Sequence, residues 1–109
     1  LQVQLQKLGC RVTTAMSGAD ALERLQTSHF RIVFSDVEMK DMDGLALCQQ
    51  IKQRRKGAPT VVLVSAQSTP SDRVRATIAG ADGFLGKPID AAELVTVLRT
   101  CSNRRRRAR

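Results

Sequence analysis

Val33-Phe34-Ser35-Asp36-Val37-Glu38-Met39-Lys40-Asp41-Met42-Asp43-Gly44 is the stretch on which the fold turns. It begins in Arg31-Ile32-Val33-Phe34-Ser35, a run almost wholly apolar, as expected of a strand covered on both faces. Asp36 closes that strand. From Asp36 to Asp43 the chain carries four acids and reads as a loop. Asp43 then suits the N-cap of a helix whose inner stripe is Leu47, Cys48 and Ile51. The unit is strand, acidic loop, helix, with a carboxylate at the carboxyl end of the strand.

The same alternation continues outward. Leu1, Leu5 and Leu8 form one helical stripe that stops at Gly9, a residue suited to the C′ position. Arg11-Val12-Thr13-Thr14-Ala15 has the β-branched content of a strand. Ser17 and Asp20 make a capping-box pattern ahead of a helix through Ala21, Leu22 and Leu25, up to about Thr27. Gln53 to Pro59 is a polar connection. Thr60 to Val64 is the most hydrophobic strand, and Ser65 to Pro70 a small polar loop. Ser71 or Asp72 caps a fourth helix through Val74, Ile78 and Ala79. Gly80-Ala81-Asp82-Gly83 turns into a short strand at Phe84-Leu85, and Asp90 with Glu93 opens a last helix with Ala91, Leu94, Leu98 and Cys101 on one face. Strands alternating with helices through short loops predict βαβ units, hence a parallel sheet with helices on both faces.

Composition narrows the chemistry. With 109 residues there is one domain, and 42% hydrophobic with 26% charged residues is ordinary for a globular one. Apolar runs such as Val61-Val62-Leu63-Val64 are strand length, whereas spanning a bilayer takes about 20 apolar residues. No apolar stretch follows a basic start, so no signal peptide is read. The net charge is +8, but Arg104, Arg105, Arg106, Arg107 and Arg109 supply five of the 18 cations. Without them 13 cations face 10 anions, so the body is mildly basic and the tail strongly so. Aromatic residues are 3%, all Phe, which leaves no base-stacking platform for single strands. Cys10, Cys48 and Cys101 are an odd set without C-x-x-C, and His29 is the one histidine. A disulfide framework, a zinc site and a Ser-His-Asp triad are therefore not expected, and a cytoplasmic setting is.

Ligands of such sheets bind outside the carboxyl ends of the strands. Asp36 follows one strand, Ser65 with the small Ala66 the next, and Lys87 with Pro88 the last. A carboxylate, a hydroxyl and an ammonium on one edge suit an aspartyl nucleophile that forms an acyl phosphate, with Lys87 neutralising phosphoryl oxygens and Ser65 donating to another. Each residue alone has a plainer role as a turn former, loop hydroxyl or surface charge; the ordered trio is the specific signal.

These residues carry a resemblance. Val33 to Gly44 resembles the phosphoacceptor segment of two-component response-regulator receiver domains. Val62-Leu63-Val64-Ser65-Ala66 resembles their switch strand, and Ala79-Gly80-Ala81-Asp82-Gly83-Phe84-Leu85-Gly86-Lys87-Pro88 their last strand and lysine. The match runs from Leu1 to about Cys101. It implies a flavodoxin-like doubly wound parallel sheet of order 2-1-3-4-5, lacking the first strand, which would lie between the strands at 11–15 and 31–35. Residues 1–102 are then the receiver domain and 103–109 a frayed basic tail or linker. By the same resemblance Asp36 is the phosphoacceptor, Ser65 the switch hydroxyl, Lys87 the phosphate contact, Phe84 the rotating aromatic, and Lys87-Pro88 a cis peptide.

The resemblance also implies Mg²⁺, held by Asp36, the backbone carbonyl of Glu38 and an acidic pair that Leu1 to Arg109 does not supply. Lys40 stands where the family usually has Pro. The opening Leu5-Gln6-Lys7-Leu8-Gly9-Cys10 is similar to receivers fused to hybrid sensor kinases. The implied phosphodonor is a histidine kinase or phosphotransfer protein. No small-molecule substrate or membrane contact is expected, and the open strand edges invite dimerisation or strand swapping. Without that pair, Leu1 to Arg109 is expected to bind Mg²⁺ poorly and to accept phosphate poorly. Two other readings remain. An aspartyl phosphohydrolase of haloacid-dehalogenase type would use Asp36 with Glu38 as acid/base, and the arginine tail could bind nucleic acid through phosphates.

Overall fold

The computed structural model describes residues 1–38, 43–53, 58–67 and 69–107, with side chains as far as Cys101. In chain order the elements are α1 (Gln2–Lys7), α2 (Gly18–Thr27), β1 (Ile32–Asp36), α3 (Gly44–Lys52), β2 (Thr60–Ser65), α4 (Pro70–Ile78), β3 (Gly83–Gly86) and α5 (Ala91–Arg107). The three strands form a parallel sheet in the order β1-β2-β3. Ile32 pairs with Thr60 and Asp36 with Val64; Val62 pairs with Gly83 and Ser65 with Gly86.

Side chains of a strand alternate between faces, and β2 is buried along its whole length. Val61 and Leu63 enter one core with Leu47, Cys48 and Ile51 of α3 and with Ala76 and Ala79 at α4. Ala21, Leu22 and Leu25 of α2 close that side, together with Val33 and Phe84. Val62 and Val64 enter the opposite core with Leu5 of α1, Leu85, Leu94 and Cys101, flanked by Ile32 and Phe34. Helices α2, α3 and α4 thus cover one face, and α1 and α5 the other. Burial pushes the Cys48 thiol above its ordinary pKa, against the lowering effect of Lys52. It is a core residue rather than a reactive one.

The helix ends follow local chemistry. Ser17 Oγ accepts the Asp20 amide at 3.1 Å, and the Asp20 carboxylate reaches back to the Met16 amide at 2.8 Å. Asp43 caps α3 by accepting the Ala46 amide at 2.8 Å. The Asp90 carboxylate accepts the Ala92 amide at 3.0 Å at the start of α5. Gly9 and Gly80 have φ of +88° and +95°, the left-handed region that glycine enters without a Cβ clash. Each closes its helix with paired bonds. Gly9 N–H reaches Gln6 O and Cys10 N–H reaches Leu5 O; Gly80 N–H reaches Thr77 O and Ala81 N–H reaches Ala76 O. At the sheet's amino-terminal end Lys52 Nζ bridges Asp82 Oδ2 at 2.8 Å and Pro59 O at 3.2 Å, and the same carboxylate accepts the Val61 amide.

Three expectations are corrected. Arg11–Ala15 forms no strand. β-branched content favours a pleated surface, but a strand exists only in a ladder, and the sheet of the described residues ends at β1. Val12 packs instead as irregular chain against the α1/α5 core. The cap of α4 is Thr69, not Ser71 or Asp72. Thr69 Oγ1 accepts the Asp72 amide, Asp72 accepts the Thr69 amide, and Pro70 takes the first helical turn, where its missing N–H costs nothing. On that helix Val74 and Ile78 are 57% and 75% exposed, while Ala76 and Ala79 face inward. The last helix also runs on to Arg107, where a frayed tail was expected from Ser102 onward. Arginine is a good helix former and no Gly or Pro intervenes. The charges expected on the tail, Arg104 to Arg109, and Lys40 of the loop lie outside the described side chains.

Leu63→Ala empties a fully buried site between β2 and the α3/α4 helices and is expected to cost about 2–5 kcal/mol in denaturant unfolding, a large part of a small domain's stability. The Asp72 carboxyl is held below its usual value by the Thr69 hydroxyl and amide, with Arg75 adding to the effect. A depressed folded pKa gives stability that is present above the unfolded value of 3.8 and lost as pH falls through the folded one. Thermal unfolding across that acid range should therefore fall more steeply in the parent than in Asp72→Asn.

Candidate functional site

The register sets the site. Asp36 is the last residue of β1, Ser65 the last of β2, and Lys87 directly follows β3. The ladders run one bond beyond the strands: Val37 N–H donates to Val64 O at 2.9 Å and Lys87 N–H to Ser65 O at 2.8 Å. All three residues therefore lie at the carboxyl edge of adjacent strands.

Asp36 and Lys87 meet directly. Lys87 Nζ is 2.5 Å from Asp36 Oδ1, with the two side chains 43% and 44% exposed. Oδ1 itself is shielded from water and accepts no hydrogen bond from another group of the described residues; the lysine ammonium is its partner. The exposure of the side chain is carried by its other atoms, so the carboxylate is tied at one oxygen and open at the rest. A pair this exposed contributes on the order of 0–1 kcal/mol to stability. Its weight is chemical, because a fixed cation lies beside a carboxylate that faces solvent. Leu1, Gln4, Phe34, Val64, Pro88 and Ile89 wall a cleft of about 400 Å³ in front of the pair. The Lys87-Pro88 peptide is cis, as the resemblance implies.

Ser65 is one strand away and bonded elsewhere. It is 2% exposed. Its hydroxyl donates to Glu38 Oε1 at 2.6 Å and accepts the Gln67 amide at 3.0 Å. The structure thus joins Asp36 to Lys87 and Ser65 to Glu38, as two pairs on one edge. Sequence reasoning gave Glu38 a part through its backbone carbonyl, and through its side chain only as acid/base in the phosphohydrolase alternative; it missed the bond to Ser65.

By strand alternation Phe84 and Ser65 share the α3/α4 face. The Phe84 ring is half-buried, with the Arg73 guanidinium 5.1 Å from its centroid, a contact worth about 0.5–1 kcal/mol at an exposed site. Beside it Leu85, Ala92, Glu93, Thr96 and Val97 line an open hollow of about 270 Å³.

Gly44 holds the edge from behind. Its N–H donates to Val37 O at 2.8 Å. A Cβ on Gly44 would lie 2.2 Å from Asp36 O and 2.8 Å from Val37 Cα. Only glycine lets the first turn of α3 press against the backbone that carries Asp36, and sequence reasoning missed this requirement as well.

Mg²⁺ takes six oxygens, usually one or two carboxylates with phosphates and waters. Asp36 is the one carboxylate here not committed to another side-chain hydroxyl, and one of its oxygens faces Lys87. No group of three metal-ligating side chains occurs among the described residues. None of the described helices is long and apolar enough to cross a membrane, and Cys10, Cys48 and Cys101 are in no disulfide.

Comparison with known proteins agrees on one family. The response regulator receiver domain matches residues 1–99. Protein PilG of Pseudomonas aeruginosa is 35% identical over 97 residues, covering 87% of this chain and 71% of that protein. The sensor histidine kinase RcsC of Escherichia coli K12 is 37% identical over 106 residues, covering 97% of this chain and 11% of that protein. Among solved structures, the signal receiver domain of a signal transduction histidine kinase from Syntrophus aciditrophicus aligns with a TM-score of 0.81 at 32% identity, covering 94% of this chain and 79% of that one. The chain spans less than half the length of most of the curated relatives it matches.

Gly44→Ala is expected to push the Asp36 carbonyl and the start of α3 apart, at a cost on the order of 1–3 kcal/mol. In amide NMR spectra the largest shifts should centre on Asp36 and Val37. Unchanged stability together with unshifted amides at those two residues would remove Gly44 from the site.

Proposed function

The chain belongs to the family of response regulator receiver domains, and from that premise we propose that Asp36 receives a phosphoryl group and that Ser65 and Phe84 relay its arrival to the α4/β3/α5 surface. Receiver domains are signalling switches rather than turnover enzymes. Slow self-dephosphorylation is the only chemistry assigned to this one.

One observation carries the proposal: a strand-end carboxylate with a lysine ammonium on one oxygen and its remainder open to a cleft. The free oxygen attacks phosphorus and the donor's P–N bond breaks. The leaving nitrogen keeps the electron pair and takes up a proton. Lys87 offsets the negative charge that gathers on the phosphoryl oxygens. A histidine kinase or phosphotransfer protein supplies the group, in keeping with a kinase among the relatives. The family generally binds Mg²⁺ in an acidic pocket, where the ion would offset phosphoryl charge. In this chain Asp36 and the Glu38 carbonyl are the donors proposed for it, and they hold it weakly.

Once the group is in place, Ser65 turns toward it and Phe84, on the same face, follows inward. The Arg73 contact and the hollow beside the ring then change shape. A cytoplasmic setting belongs to this proposal, and association or strand swapping through the outer edge of β1 would be a property of the isolated chain. The phosphohydrolase alternative needs Glu38 free as acid/base, whereas its carboxylate is bonded to Ser65.

Treated with a small-molecule phosphodonor and Mg²⁺, the complete domain, with the acidic pair that binds the metal, should take one acyl phosphate at Asp36, and its Asp36→Asn variant should take none. Lys87→Ala should lower the labelling rate by roughly 10²-fold, the scale of removing one preorganised electrostatic contact. Undiminished labelling of Asp36→Asn would sink the proposal.

A further inference from the structure

Ser65 has a single hydroxyl proton to give. It is spent on Glu38 Oε1 at 2.6 Å, a length typical of charge-assisted O–H···O⁻ bonds, which are roughly twice as strong as neutral ones. The oxygen in turn accepts the Gln67 amide, and the residue is 2% exposed, so water does not compete for the proton. As the protein stands, the hydroxyl has nothing left to offer Asp36.

We infer that Glu38 is a positioning residue for the switch, its carboxylate holding the Ser65 hydroxyl away from Asp36 until a phosphoryl group displaces it. This rests on the reading of Asp36 as phosphoacceptor. For Ser65 to donate to a phosphoryl oxygen, the bond to Glu38 must open and the hydroxyl must rotate. Glu38 also follows Asp36 by two residues, so its negative charge stands close to a group that arrives carrying more of the same sign. Bond and charge act in one direction, against the phosphorylated state. The side chain therefore sets the threshold of the switch without touching the reacting atoms.

A pure charge effect would not pass through Ser65, and a double-mutant cycle separates the two. In the complete domain, with the acidic pair that binds Mg²⁺, the parent, Glu38→Gln, Glu38→Ala, Ser65→Ala and Glu38→Ala/Ser65→Ala are titrated with beryllofluoride and Mg²⁺, followed by ¹⁹F NMR, with Asp36→Asn as the blank. Ligand-free amide spectra are recorded for each. Glu38→Ala should bind the phosphoryl mimic roughly 5- to 10-fold more tightly than the parent, the weight of about one hydrogen bond. Glu38→Gln, which keeps an acceptor of the same length, should fall between them. In the Ser65→Ala background the gain should shrink to about twofold or less, the part left to charge alone. Without ligand, the Gln67 amide should shift in Glu38→Ala. An equal gain in both backgrounds, no gain at all, or an unmoved Gln67 amide would overturn the role of Glu38 while leaving Asp36 as acceptor. A parent signal no different from Asp36→Asn would overturn the receiver reading itself, and this inference with it.

Discussion

The structure depends on the burial of β2. Val61 and Leu63 belong to one core, Val62 and Val64 to the other, and none of the four is more than 3% exposed. A slip of one residue would exchange the two sets of side chains between faces that are filled by different helices. The register is therefore set by packing, and the register decides that Asp36, Ser65 and Lys87 end on the same edge. The meeting of these three residues is a consequence of core packing.

At that edge each group already has a partner. The Asp36 carboxylate has the Lys87 ammonium, and the Ser65 hydroxyl has the Glu38 carboxylate. The first pair leaves part of the carboxylate open to the cleft, whereas the second commits a buried proton. The Asp36 side of the edge is thus open and the Ser65 side is tied. The aromatic ring is restrained separately by Arg73. Under the proposed function, the arrival of charge at Asp36 and the response of Ser65 and Phe84 would be distinct events with distinct restraints, as a switch with two states requires.

Much of the architecture could be read from residue types. The caps at Ser17, Asp43 and Asp90 and the helix stops at Gly9 and Gly80 rest on bonds made within a few residues, so local sequence is enough. The alternating faces of β1, β2 and β3 follow from an apolar run of strand length. Asp36, Ser65 and Lys87 were legible because each ends a strand, and ends of parallel strands lie together. Where sequence and structure part, the deciding partner is distant or the choice lies between near equivalents. Thr69 prevailed over Ser71 and Asp72 as a cap because Pro70 and Asp72 fit around it. Arg11–Ala15 carries strand propensity with no ladder to join. Val74 and Ile78 are apolar yet face solvent, because the small Ala76 and Ala79 are what fit beneath α4.

By itself the sequence determined the order of the elements apart from the strand expected at Arg11–Ala15, the two-faced parallel sheet and the three residues at the strand ends, since periodicity and termini are properties of the chain. Only the tertiary structure decided which of these residues touch: Lys87 on Asp36 Oδ1, Glu38 on Ser65, Arg73 over Phe84, and Gly44 against the Asp36 backbone. Partners at distances of 2.5 to 5.1 Å are chosen by how elements remote in sequence pack against β2. No spacing along the chain encodes that choice.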